Sequence, residues 1–232
     1  MELTSVAMLK EAWYRLCGTT AEDPALSENG EAADEVAYVS LTRGVRAAQR
    51  YMLKQGYRGW RTRSSALSWS GTDAANGGRY TALPSDFLRG FGNFRVSPIR
   101  EANGDPWGAM LTEADEEVYA RGNYFYFRGD ELWVARNASP PTTAYLEYHQ
   151  RHAEITAVLA DGSIDFPMEA RPLIVAEAAN VAKEEDWLPY GPEVEQKIER
   201  ALVRARAEAQ DIARPSKAPR RFHYHGPYGS RW

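Results

Sequence analysis

The sequence predicts an α+β protein, with a helical bundle built from both ends of the chain and a small antiparallel β-sheet module between them. Apolar residues recur every three or four positions near both ends, as on amphipathic helices. Short aromatic runs with turn signals fill the middle, as in strands. We therefore predict N-terminal helices at 1–56, a β-rich module at 57–152, C-terminal helices at 153–213 and an extended C-terminal arm at 214–232. Residues 1–213 are expected to form one folded unit.

The N-terminal segment carries two helical patterns. Apolar residues at helical spacing predict a first helix over Leu3–Leu16, which Gly18 ends. A longer helix is predicted at Asp34–Gln55, with Asp34 as its N-cap. Gly56 ends this second helix, because glycine readily adopts the left-handed conformation that terminates helices. A solvated face is the interpretation for the arginines of the second helix, Arg43, Arg46 and Arg50.

The β-rich module is organised around a predicted hairpin. Aromatic runs at Tyr124–Phe127 and Leu132–Val134 flank Gly129-Asp130, and glycine accepts the positive φ that hairpin turns need. A third strand is predicted at Ala144–Tyr148. The remaining elements expected in the module are a β-like segment at Tyr57–Trp69, a return strand at Arg79–Thr81, a strand at Phe94–Val96 and a helix at Thr112–Ala120.

Two further helices are predicted before the arm. The first runs over about Glu169–Asp186 and is entered through Phe166-Pro167. The second runs over Pro192–Ala213, because proline suits the first turn of a helix and Arg214-Pro215 stops it. Alanines on both helices favour close approach of a neighbouring helix.

Composition and charge narrow the function classes. With 44% hydrophobic and 26% charged residues the chain fits an ordinary globular protein. No apolar run approaches the roughly 20 residues that span a bilayer, and Met1–Ser5 lacks the start of a signal peptide, so no membrane partner is expected. The only cysteine, Cys17, excludes an internal disulfide and is interpreted as a buried apolar residue.

The net charge is −4, and the arm contributes five positive charges and no negative one. The remaining chain therefore carries −9, which does not predict a DNA-clasping body.

No motif for catalysis, a cofactor or a metal stands out. A phosphate-binding glycine loop, a nucleophile elbow and a zincin motif are all absent from the sequence. His149 and His152 would share one face of a helical turn, but no third ligand accompanies them. His223 and His225 in the arm could bind a metal adventitiously, but a flexible tail disfavours a metal site there. We therefore predict a protein that is not an enzyme, with no catalytic residues, no cofactor and no metal.

The arm is the candidate binding segment. It combines cationic and aromatic side chains on a stretch rich in proline and glycine, whereas disordered segments are usually poor in aromatics. Aromatic and arginine side chains are the commonest anchors of protein interfaces. The candidate partner-binding residues are Arg214, Lys217, Arg220, Arg221, Phe222, Tyr224, Tyr228, Arg231 and Trp232.

The order of the elements over residues 33–213 resembles one known family. The elements that carry the likeness are the helices, a strand at Trp60, Tyr80-Thr81-Ala82-Leu83-Pro84-Ser85-Asp86-Phe87, the hairpin at Tyr124–Val134, the strand Tyr145–His149, the entry Asp165-Phe166-Pro167, an alanine-rich helix and a charged helix. This order resembles the head-to-tail adaptor, or connector, proteins of tailed bacteriophages, including the tail-tubular adaptor type.

The resemblance implies a structural virion protein located at the neck, and in the host cytoplasm during assembly. Such adaptors form a homo-oligomeric ring, typically of twelve copies, that docks under the portal protein and extends the DNA channel. Genome DNA passes through without specific binding, and a downstream stopper, nozzle or other tail protein docks below. In that family the C-terminal segment often reaches into the portal.

Alternatives remain open for both the arm and the whole chain. The arm would dock the portal, remain a solvated disordered tail, or bind DNA through basic residues interleaved with aromatics. The whole chain would otherwise be a tail-associated hydrolase or a DNA-binding protein that uses its basic tail.

Overall fold

The α+β class is confirmed by a computed structural model of the chain. The structure describes residue 3 and residues 5–20, 32–69, 71–72, 78–90, 97–110, 122–135, 138–156, 164–185, 187 and 191–213. These residues form four α-helices and two small sheets. The chain divides into two compact units, which we name the helical unit, Met1–Arg58 with Glu154–Trp232, and the β unit, Gly59–Ala153. The expected elements outside the described residues are Phe94–Val96, Thr112–Ala120 and the arm.

The helices of the helical unit are α1 (Val6–Cys17), α2 (Ala32–Lys54), α3 (Arg171–Glu184) and α4 (Pro192–Ala213). The bounds of α4 were predicted correctly. Helix α1 begins after Ser5, whose hydroxyl accepts a hydrogen bond from the Met8 amide, and ends at Gly18 with φ 68°. The start predicted for α2 was wrong: the helix already includes Ala32, so Asp34 lies inside it and is not its N-cap.

Helix α3 is shorter than predicted. A single 3-10 turn at Met168–Ala170 precedes it, and Glu184 is its last residue. Nearly its whole circumference is buried because α1, α2 and α4 all pack against it. A helix that is apolar all round belongs in a protein interior, so α3 is the centre of the helical unit. Its buried apolar residues are Leu173, Ile174, Val175, Ala176, Ala178, Ala179 and Ala182.

Polar side chains fix α3 and its neighbours in place. The buried Arg171 guanidinium donates to the carbonyl oxygens of Leu3, Ile164 and Phe166. The carboxylate of Glu177, which is 4% exposed, lies 2.8 Å from Arg206 of α4. Buried charges are tolerated when they are paired and hydrogen-bonded, so these contacts specify how the helices align.

The described residues of the β unit form nine strands. They are β1 (Arg61–Arg63), β2 (Gly71–Thr72), β3 (Arg79–Ala82), β4 (Phe87–Gly90), β5 (Ile99–Glu101), β6 (Ala109–Met110), β7 (Tyr124–Arg128), β8 (Glu131–Val134) and β9 (Ala144–Gln150). The predicted hairpin is confirmed as β7–β8, with a two-residue turn in which Gly129 has φ 57°. Of the β-like segment predicted at Tyr57–Trp69, only β1 is a strand.

The prediction of one antiparallel sheet was wrong in two respects. The strands form a five-stranded sheet in the order β2-β3-β8-β7-β6 and a four-stranded sheet in which β9 pairs with β1, β4 and β5. The pair β6–β7 is parallel. The third predicted strand is therefore not the neighbour of the hairpin. It is the central strand of the other sheet. Its partners, β1, β4 and β5, come from distant parts of the chain.

The two sheets of the β unit share one core. Ile99, Leu146 and Tyr148 from the four-stranded sheet join Phe125 and Leu132 from the five-stranded sheet in a single buried cluster. Alternate residues of a strand point to opposite faces. The other residues of β9, Tyr145, Glu147 and His149, therefore lie on the face of the four-stranded sheet that points away from this core.

Candidate functional site

The nine candidate residues of the arm lie outside the described residues. What the structure describes is the helix that precedes them. Helix α4 remains packed to its last residue, since Ala213 is buried. The arm therefore continues from a helix end that is anchored in the helical unit.

The two histidines of the β unit do not share a helical turn, as the sequence spacing had allowed. His149 lies within β9 and is buried, and His152 follows the strand. The Nδ1 atom of His149 is 3.1 Å from the Gly59 carbonyl oxygen. Burial lowers the pKa of His149 and the charges of Arg89 and Arg61 lower it further, although the hydrogen bond that the ring donates to the Gly59 carbonyl opposes this. No group of three or more potential metal ligands is found among the described residues.

Arginines dominate the outward face of the four-stranded sheet. His149 is paired with Arg61 of β1 on one edge and with Arg89 of β4 on the other. Directly paired residues point to the same face of a sheet. Arg63 lies two residues after Arg61, and Arg100 is paired with Tyr145. We name this set, Arg61, Arg63, Arg89 and Arg100, the arginine face.

Glu147 lies at the centre of the arginine face. One of its carboxylate oxygens is 2.5 Å from a guanidinium nitrogen of Arg61 and 2.9 Å from one of Arg100. Burial favours the neutral acid, but the hydrogen bonds and charges of Arg100 and Arg61 outweigh it and lower the pKa of Glu147. The ionised carboxylate therefore links β1, β9 and β5 and holds two guanidinium groups in defined positions.

The other two arginines of the face form no ion pair with Glu147. Arg63 and Arg89 are exposed, and the Arg63 guanidinium carbon lies 4.5 Å from the ring centroid of Tyr145. Such a contact orients a guanidinium without neutralising it. No carboxylate of the described part of the chain forms an ion pair with Arg63 or Arg89. Within the described part of the chain, the face therefore carries four guanidinium groups and one carboxylate that pairs with them; Arg61, Arg63 and Arg89 are exposed, whereas the Arg100 side chain is 15% exposed.

The Leu83–Phe87 segment, which contributes to the family resemblance, forms a tight corner. The Phe87 amide donates to the Pro84 carbonyl, and the Leu83 amide donates to the carbonyl of Asp130. The hydroxyl of Tyr148 donates to Asp86 at 2.7 Å. Burial and this hydrogen bond raise the pKa of Tyr148 to about 12, so the phenol stays neutral and keeps donating at physiological pH.

Two open pockets flank this corner. One, of about 420 Å³, lies between the corner, the β7–β8 turn and Arg151. The other, of about 400 Å³, is lined largely by hydroxyl side chains, among them Ser64, Ser68 and Thr81. Neither contains a convergent set of ionisable groups of the kind that an active site uses. The corner is therefore a structural joint between β4, β8 and β9.

Sequence reasoning missed the arginine face. Its members are spread over forty residues of the chain, from Arg61 to Arg100, and neither Arg89 nor Arg100 is part of a motif named in the sequence. The one local signal is Arg61-Thr62-Arg63, where arginines alternate with the period of a strand. The pairing with β9 that brings Arg89 and Arg100 to the same face is a long-range feature.

None of the described helices is both long and apolar enough to cross a bilayer. No known family model matches this chain, and no curated protein is similar to it at a significant level.

Proposed function

We propose that the chain is a structural virion protein of the head-to-tail adaptor kind. In this role it forms a ring, with twelve copies as the expected number, between the portal protein and the next tail component. Its arm docks into the portal, and it has no catalytic activity of its own. The order of elements over residues 33–213 supports this proposal, together with the confirmed α+β architecture.

The observation that carries the proposal is the way α4 leads into the arm. This helix of 22 residues is held against α3 by Glu177–Arg206 and by Lys183–Glu199, whose charged atoms are 3.0 Å apart. A binding segment is positioned best when it extends from a rigid element. A helix that is fixed in the unit and continues into a cationic, aromatic stretch suits a docking arm.

A ring requires contacts between unlike faces of neighbouring copies, and these contacts must close. The alanines of α3 do not serve this purpose, because packing within the helical unit already buries them. Helix α4 retains an outward face that includes Val203, which is 72% exposed. Of these two helices, α4 would therefore be the one that contacts a neighbouring copy in the ring.

The proposal is tested by a pull-down with purified portal protein. The double variant Arg220→Glu, Arg221→Glu should lose portal binding, because it reverses two charges of the arm. A matched control is Arg58→Glu, Arg200→Glu, which changes the charge equally at exposed positions outside the arm. Circular dichroism should show unchanged helix content for both. Equal portal binding by the arm variant and the control would reject arm docking.

A second measurement separates the function classes. The mass of the protein mixed with the portal should correspond to a large ring complex by light scattering. A tail-associated hydrolase would remain a small species and turn over a substrate. If the arm instead binds DNA, deletion of residues 214–232 should abolish a salt-sensitive gel shift while ring assembly persists.

A further inference from the structure

We propose that the arginine face of the β unit binds the phosphate backbone of nucleic acid without reading its sequence. The observation that supports this proposal is the cross-strand row Arg61–His149–Arg89, with Arg63 and Arg100 on the same face. This inference does not depend on the adaptor proposal, since it uses only residues of the β unit.

The geometry of the face matches a polyanion. Neighbouring strands lie about 4.8 Å apart, so the Cα atoms of Arg61 and Arg89 are roughly 10 Å apart across β9. Duplex DNA carries one charge per about 1.7 Å of its axis, hence about six phosphate charges over that distance. Arg61 and Arg63, two residues apart on one strand, are separated by about 7 Å. Several guanidinium groups can therefore contact phosphates at the same time.

Three of the four guanidinium groups are already positioned before any ligand arrives. Glu147 holds Arg61 and Arg100, and the Tyr145 ring lies against Arg63. Arginine is well suited to phosphate because its planar fork donates two parallel hydrogen bonds. Positions held by neighbouring groups reduce the conformational entropy that binding must otherwise cost.

The chemistry of the face favours nucleic acid over a protein partner. Arginine and tyrosine also anchor protein–protein interfaces, but those interfaces are otherwise depleted in charged residues and have an apolar buried core, whereas nucleic-acid interfaces are polar and strongly positive. The described outward residues of β1 and β9 are Arg61, Arg63, Tyr145, Glu147 and His149, and none of them is aliphatic. The chain as a whole carries a net negative charge. The excess of arginines on this face is therefore a local property of the face.

The test is fluorescence anisotropy with a labelled 30-base-pair duplex of arbitrary sequence and the full-length protein. The wild type should bind, with an affinity that falls steeply as salt rises. The double variant Arg63→Gln, Arg89→Gln should weaken binding at all sequences. It should also reduce the slope of log K against log salt by about 1.8, since each lost phosphate contact is worth about 0.9. The control Arg79→Gln, Arg200→Gln removes two exposed arginines, one from the five-stranded sheet and one from α4, and should leave the slope unchanged.

For Glu147→Gln, the expected change in DNA affinity has the opposite sign. The substitution removes the carboxylate that pairs with Arg61 and Arg100. Relief of its repulsion of phosphate should outweigh the lost positioning of these two guanidinium groups, so DNA binding should become severalfold tighter although the fold becomes less stable. A purely structural role of Glu147 would predict no gain in affinity.

Three outcomes would overturn the proposal. The first is a wild-type protein that does not bind the duplex at about 50 mM salt, where phosphate contacts are strong. The second is binding that the arm variant Arg220→Gln, Arg221→Gln abolishes and that Arg63→Gln, Arg89→Gln leaves intact. The third is a loss of self-association, measured by sedimentation, in the arginine-face variant with unchanged DNA binding, which would assign the face to a second copy of the chain.

Discussion

Glu147 joins three strands of the β unit through a single carboxylate. Its partners Arg61 and Arg100 come from β1 and β5, and these two strands do not pair with each other. The carboxylate is only 16% exposed, and it stays ionised because the two guanidinium groups beside it outweigh the effect of burial. At the scale of the residue, the stability of the four-stranded sheet should therefore depend on the ionisation of Glu147, and so on pH.

We expect Glu147 to contribute to stability in an acid-dependent way. Its pKa in the folded protein is lower than its ordinary value of 4.5. A group of this kind stabilises the fold fully above its unfolded pKa, and the contribution disappears as the pH falls through the lowered folded value. The free energy of unfolding of Glu147→Gln should be about 1–3 kcal/mol lower than that of the wild type at pH 7. The difference should shrink below about pH 4.5.

Urea unfolding at a series of pH values from 3 to 7 measures this difference. Glu208→Gln is the control, because Glu208 forms only an exposed pair with Arg204 within α4 and such pairs contribute less than about 1 kcal/mol. A difference between Glu147→Gln and wild type that stays constant across the whole pH series would contradict the role assigned to the carboxylate.

At the scale of elements, α2 and α3 of the helical unit approach each other closely at Gly44. A Cβ atom added at Gly44 would lie 2.6 Å from the Ile174 carbonyl oxygen and 2.7 Å from the Ala178 Cβ. Glycine on α2 and alanine on α3 thus allow the backbones to approach more closely than larger residues would permit. The alanine-rich pattern had predicted close helix approach for α3, and the glycine on α2 completes it.

Gly44→Ala should therefore destabilise the protein. In an exposed helix this substitution would stabilise by roughly 1 kcal/mol, but here the new methyl group meets backbone atoms that cannot rotate away. Overpacking of this kind costs about 1–3 kcal/mol, so the sign should be reversed. Chemical denaturation of Gly44→Ala measures it, with the exposed Val203→Ala as a control expected within about 0.5 kcal/mol. A variant more stable than wild type would show that α2 and α3 are not in close contact.

At the scale of the whole molecule, two units share the chain, and the helical unit is built from both ends of it. Each unit has its own core, as the cluster around Phe125 and Leu146 shows for the β unit. Units with separate cores can open separately. The expectation that residues 1–213 fold as one unit is therefore open to a direct experiment.

Hydrogen exchange can locate the effect of two substitutions. Gly44→Ala should speed exchange in α2 and α3 and leave β7 and β8 protected. Gly129→Ala should do the reverse, because a positive φ of 57° costs a residue with a Cβ about 1–2 kcal/mol. No neighbouring atom lies within 4 Å of the added Cβ, so this cost is one of backbone conformation alone. Loss of protection in both units from either substitution would show that they unfold together.

The amino-acid sequence by itself determined the elements whose signals are local. Helix α4 was predicted to the residue, because proline at its start and Arg214-Pro215 after its end act within one turn. The β7–β8 hairpin followed from glycine between two aromatic runs. Net charge and the basic, aromatic arm were also readable directly, and they supply the candidate portal-binding residues, whose role stays a prediction.

Only the tertiary structure decided how distant strands and side chains combine. The division into two sheets, the central place of β9 and the meeting of Arg61, Arg89 and Glu147 on one face all depend on pairings between segments far apart in the chain. The periodicity of a strand says which residues share a face, but it does not say which strand lies beside it. The arginine face was hidden for this physical reason, although each of its residues was visible in the sequence.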